Sequence, residues 1–124
     1  MNPTDIPLFD LLDRRLHYLN ARQGVLSQNV ANADTPGYVA RDLPSFANLV
    51  SGASLAPSTT NPMHHAIGGS DGRPKALSSE RAPDGNGVRL DEQLTRIADT
   101  DAAHELASTL YHRYLGLFRI AIGK

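Results

Sequence analysis

Between Phe9 and Ala33 apolar side chains return at alternating three- and four-residue steps: Phe9, Leu12, Leu16, Leu19, Leu26, Val30 and Ala33, with Gln23 the polar member of the series. That spacing holds one stripe of a helix toward a partner helix. It predicts a helix from near Ile6 to about Ala33, ~40 Å long at ~1.5 Å per residue. Thr4 or Asp5 is placed to cap its start, and Pro7 is tolerated in the first turn. Asp10 and Asp13 lie at the positive end of the helix dipole, with Arg14 one turn beyond Asp10. Gly24 weakens the helix by about 1 kcal/mol relative to Ala.

A second periodic stretch follows Asp84-Gly85-Asn86-Gly87, a dense turn signal. Asp91 and Glu92 fall in the first turn of a helix expected to reach about Ile122, with Gly123 as its stop. Ala103, Ala107, Leu110, Tyr114, Leu117 and Ala121 form its stripe, widened by Leu106, Phe118 and Ile122. The expected fold is all-α: an elongated, coiled-coil-like antiparallel pair of long N- and C-terminal helices. Leu12, Leu16, Leu19, Leu26 and Val30 form one packing seam, and Leu110, Tyr114, Leu117 and Phe118 the other. Two helices alone bury little core. The broad stripe around Leu115, Leu117, Phe118 and Ile120 therefore calls for a second partner, which points to self-association.

Three segments result: 1–42 with the first helix and its turn, 43–87 as an insert, and 88–124 with the last helix, all in one structural unit. The insert holds five of the eight prolines and six of the ten glycines. Its one concentrated apolar patch is Phe46, Leu49 and Val50. We expect it to be irregular and partly disordered, with one short helix or strand pair.

The first helix ends in Asn29-Val30-Ala31-Asn32-Ala33-Asp34-Thr35-Pro36-Gly37-Tyr38. Pro36 disfavours helical geometry at Thr35, and Pro36-Gly37 at the centre of a turn suits type II, where Gly37 takes positive φ. Asn29, Asn32 and Asp34 are placed to satisfy groups freed at the helix end.

Composition narrows the chemistry. A net charge of −1 speaks against a nucleic-acid surface, and no run of about 18 apolar residues offers a membrane span. Asp5, Asp10 and Asp13 stand where a cleavable signal would need positive charge and an unbroken apolar core. No cysteine is present, which removes thiol nucleophiles, disulfides and cysteine-bound zinc. His17, His64, His65, His104 and His112 have no metal-ligand spacing. Asp84-Gly85-Asn86-Gly87 lacks the acidic twelfth residue of a calcium loop, since Thr95 stands there. Ser27, Ser45, Ser78 and Ser79 sit in no nucleophile elbow. Asp101 and His104 form at most a helical salt link. No enzyme class, cofactor or small-molecule substrate is indicated.

The string Leu26–Tyr38, LSQNVANADTPGY, followed by VARDL at 39–43, resembles the N-terminal signature of the bacterial flagellar rod and hook proteins. Ala40-Arg41-Asp42 makes it most similar to proximal rod members. The likeness covers roughly residues 8–46 closely and 84–124 more loosely. It implies a structural subunit of the basal-body rod, needed for flagellum assembly and swimming. Its partners would be copies of itself, other rod proteins, and components of the membrane ring and export gate. It also implies export into the periplasmic rod without a cleaved signal. Under this resemblance Asn29 and Asn32 do more than cap: with Ala33, Asp34, Thr35, Pro36, Gly37 and Tyr38 they lock a corner presented to neighbouring subunits. The last helix departs from the family pattern, with Thr100 and His104 where Asn and Tyr usually stand. The rival from another class is a cytosolic helical adaptor or regulator that uses the same seams.

Overall fold

The computed structural model describes residues 6–55, 73–77 and 87–123. Helix α1 spans Pro7–Ala31 and helix α3 Leu90–Ala121; between them lie β1 (Arg41–Asp42), α2 (Phe46–Leu55) and β2 (Lys75–Ala76). The architecture is all-α apart from the two short strands. The expected disorder in the insert falls largely outside the described residues, and what is described there is one short helix and one short strand.

Helix α1 opens with Pro7, whose missing N–H and fixed φ suit the first turn. Ile6 occupies the cap position without a side-chain bond; Thr4 and Asp5 lie outside the described residues. Helix α3 carries Asp91 and Glu92 in its first turn and Arg119 in its last, which complements the helix dipole at both ends. It stops at Ile122, followed by Gly123 at φ 73°.

The two long helices run antiparallel. At one end Asn29 of α1 reaches Gln93 of α3. At the other, the ring of Phe9 meets Tyr111 and Phe118 edge-on, at centroid distances of 5.6 and 6.1 Å. Phe9, Leu19, Leu26, Ala40, Val88 and Ala107 form the buried apolar core. Leu12, Leu16 and Val30 lie at its margin, half-buried.

The inward face of α3 is turned from the stripe its apolar residues suggest. Gln93, Thr100 and Ala107 are its buried residues, and Tyr111 and Phe118 continue that face. Leu110 is half-buried beside it, whereas Tyr114 and Leu117 point outward. The reason is polar: Gln93 and Thr100 are hydrogen-bonded, so the seam passes through residues that hydrophobic periodicity skips.

Strands β1 and β2 pair antiparallel, Arg41 opposite Ala76 and Asp42 opposite Lys75. Val39 forms a parallel bridge with Gly87. The chain after α1 thus lies across the corner end of the helix pair. Helix α2 then begins against α1: the Tyr18 hydroxyl donates to Pro44 O at 2.8 Å, the Phe46 ring tilts on Tyr18, and the Arg15 guanidinium lies 5.2 Å from the Phe46 centroid. This packing draws on part of the Phe46, Leu49 and Val50 patch.

Candidate functional site

The turn after α1 is built locally. Asn32 Nδ2 donates to Gln28 O, which also accepts the Asn32 backbone N–H at 3.0 Å, and Thr35 Oγ1 donates to Asn32 Oδ1. Tyr38 N–H closes the Thr35–Tyr38 turn on Thr35 O at 3.2 Å, with Gly37 at φ 77°. Positive φ at the third position is what the Pro36-Gly37 pair supplies. Asp34, Thr35, Pro36 and Gly37 are exposed, and Ala33 and Tyr38 are half-buried.

Asn29 does something different from capping. Its residue is 0% exposed, and its amide uses all its ordinary hydrogen-bonding capacity. Nδ2 donates to Arg41 O at 2.6 Å and to Gln93 Oε1 at 2.8 Å. Oδ1 accepts from Arg41 N–H at 3.0 Å and from the Tyr38 hydroxyl at 3.2 Å. The side chain thus stands in for a neighbouring strand, pairing with both backbone groups of Arg41.

One residue further along, Asp42 is buried among cations. Arg22 forks onto it, Nε to Oδ1 at 3.0 Å and Nη2 to Oδ2 at 2.9 Å. Arg96 Nη1 reaches Oδ2 at 2.8 Å while its Nη2 holds Glu92 at 2.6 Å. Leu43 N–H donates to Oδ1 at 2.8 Å. Two acids and two bases balance, and the fork geometry is the strong form of such a contact. Burial alone would raise the Asp42 carboxyl; the hydrogen bond and charge of Arg22, the Leu43 amide and Arg96 outweigh it and hold Asp42 below the ordinary aspartate range. Its hydrogen bond with Asp42 pushes Arg22 up.

The sign of the pH effect follows. A carboxyl depressed in the folded state stabilises the fold above its unfolded pKa of about 4, and loses that contribution as pH falls through its folded value. Melting curves of the native chain and of Asp42→Asn should differ most at neutral pH and converge in acid. A constant difference across the range would show that Asp42 is not ionised in the corner.

The corner thus joins three parts of the chain: the end of α1, residues 38–43, and the start of α3. Asn29, Asn32, Thr35, Gly37 and Tyr38 are brought into it. The seam residues Leu12 and Leu16 lie elsewhere along α1. Arg22, Asp42, Gln93 and Arg96 are central to the corner, yet no local motif marks the two arginines or Gln93. The Ala40-Arg41-Asp42 triplet was the one signal, and its chemistry depends on helix positions 20 residues before and 54 after. Among the described residues, no three His, Cys, Asp or Glu side chains gather for a metal ion, and no helix is long and apolar enough to cross a membrane.

A helical hairpin with a polar, hydrogen-bonded corner and an apolar outer stripe is the framework of a structural protein. Residues 14–38, which run from the middle of α1 through the turn, match the family model for the flagella basal body rod protein. Over most of its length the chain is similar to proteins described as flagellar basal body rod protein FlgB. The one from Agrobacterium fabrum is 30% identical, with 89% of this chain and 90% of the relative covered. That from Escherichia coli strain K12 is 31% identical, with 91% and 96% covered, and that from Yersinia enterocolitica 32%, with 83% and 89%. The chain belongs to the FlgB family of flagellar basal body rod proteins.

Proposed function

We propose that this protein is a structural subunit of the flagellar basal body rod, needed for flagellum assembly and swimming, and that it acts by packing rather than by catalysis. The observation that carries the reading is the outer face of α3: Leu106, Leu117 and Ile120 are 61%, 60% and 76% exposed, beside Phe118, which is held on Phe9. An apolar face of this kind marks an interaction surface. The descriptions of its relatives favour a rod subunit over a cytosolic adaptor. Its partners in this reading are copies of itself, other rod proteins, and the membrane ring and export gate at the rod's base. The proximal position, the periplasmic location and export without a cleaved signal belong to the same proposal. So does the division of labour along the chain: 1–42 and 88–124 form the packing unit, with 43–87 inserted between them. The turn Asn29–Tyr38 is then the corner offered to neighbours, and the seam residues Leu12, Leu16, Leu19, Leu26, Val30, Leu110, Tyr114, Leu117 and Phe118 serve pairing within and between subunits.

Two neighbouring substitutions test it. Leu117→Asp should leave the circular dichroism and melting of the purified protein close to native, because the side chain is already wet, yet abolish swimming. Phe118→Asp should lower stability by several kcal/mol, because it sets an unpaired polar group against Phe9. Normal motility with Leu117→Asp would remove the outer face of α3 from assembly.

A further inference from the structure

Beyond the Tyr38 N–H on Thr35 O, the contacts that hold the segment after the exposed tip Asp34–Gly37 come from elsewhere in the chain. Besides the pairing with β2 and the Leu77 N–H on Ala40 O, those contacts fall in two groups. From α1 come Arg22 on Asp42 and Asn29 on Arg41. From the C-terminal segment come Gly87 O, which accepts from Ala40 N–H at 3.2 Å, Gln93 on Asn29, and Arg96 on Asp42. Apart from the Gly87–Ala40 backbone bond, both groups converge on the side chains of Asn29 and Asp42. Asn29 and Asp42 are buried, so each requires every partner it has: an amide N–H or a carboxylate oxygen left unpaired there has no water to turn to.

We infer that Gln93 and Arg96 are positioning residues for the corner, so that residues 38–43, which back the exposed turn, are fixed in place only once the C-terminal helix has paired with α1. They act through Asn29 and Asp42. They follow their partners by 64 and 54 residues. A chain that has delivered its first helix but not its last has the local turn without half of the contacts that fix the segment after it. The corner is therefore a check that both ends of one molecule are present and paired. This inference deepens the structural-subunit reading and rests on it for the meaning of the surface, but the coupling itself is a property of the single chain.

Hydrogen exchange of the purified full-length protein tests it. In the double variant Gln93→Met with Arg96→Met, amides of Ala40, Arg41 and Leu43 should exchange at least about tenfold faster, while those of Leu19–Leu26 change by less than about twofold. Native exchange at Arg41 and Leu43 would overturn the coupling. Equal loss of protection in Leu19–Leu26 would also overturn it, since the two residues would then support the helix pair as a whole. Should the double variant fail to fold, Arg96→Lys, which keeps the charge but not the planar fork to Asp42 and Glu92, decides. It should quicken exchange at Leu43 with Leu19–Leu26 unchanged, and the absence of any local effect would count against the proposal. Because these measurements need no rod, they stand or fall separately from the motility of the Leu117→Asp strain.

Discussion

Asn29→Ala is expected to be the most damaging single substitution in the corner. It removes four hydrogen bonds, to Arg41 N–H, Arg41 O, the Tyr38 hydroxyl and Gln93 Oε1. At about 1 kcal/mol net for each, the loss is about 4 kcal/mol. That is a large share of the about 5–15 kcal/mol by which a domain is stable. Gln93, one of the groups left behind, is buried, so its amide cannot recover the loss by hydration. Asn32→Ala is the matched control. Asn32 bonds Gln28 O and Thr35 in an exposed setting, and its loss should cost about 1 kcal/mol. Thermal melts of the two purified variants check the contrast. A similar small effect from both would mean that Asn29, like Asn32, only finishes the helix.

Gly87→Ala is expected to come next. A Cβ there would collide with the backbone carbonyl oxygen of Tyr38 and lie 3.2 Å from Val39 Cα. Neither atom belongs to a flexible side chain, so residues 38–39 or the entry to α3 must move. Val39 pairs with Gly87 and Val88 beside it is buried, so the displacement reaches the core. A cost of about 2–3 kcal/mol is expected, lowering the melting temperature by about 10 °C or more. Gly24→Ala provides the opposite sign. Nothing lies within 4 Å of its added Cβ, and Ala favours the helix by about 1 kcal/mol. If both substitutions leave the melt unchanged, the approach of Tyr38 to Gly87 is not a constraint on the fold.

Much of the frame was legible along the chain because local chemistry writes it. Pro7 opens α1, Gly123 ends α3, and Pro36-Gly37 demands the turn that forms. The seam of α1 was legible as well, since Phe9, Leu19 and Leu26 keep a regular period and are buried. The α3 face was harder. Its inward side passes through Gln93 and Thr100, which are hidden by hydrogen bonding rather than by apolar character, and it is then drawn round by the Phe9 ring toward Tyr111 and Phe118. Reading Tyr114 and Leu117 into one stripe with Leu110 missed by about one residue, roughly 100° around a helix. The corner was legible as a turn but not as a joint. Asn29 looks like a helix-end residue until Arg41 and Gln93 are beside it, and partners 12 and 64 residues away leave no periodic trace.

Ala40 has one further consequence. Its N–H is satisfied by Gly87 and its carbonyl by Leu77 N–H at 2.9 Å, while Asp42 stands opposite Lys75. The chain thus departs from the corner and twice comes back to the same doorway. Closing a loop costs only about 0.6 kcal/mol more for each doubling of its length. With departure and return points side by side, the amount of chain spooled out between them is nearly decoupled from the stability of the helical frame. Evolution could lengthen or shorten that excursion without retuning the hairpin, and an engineer could graft a reporter domain there while leaving the helix pair as it is.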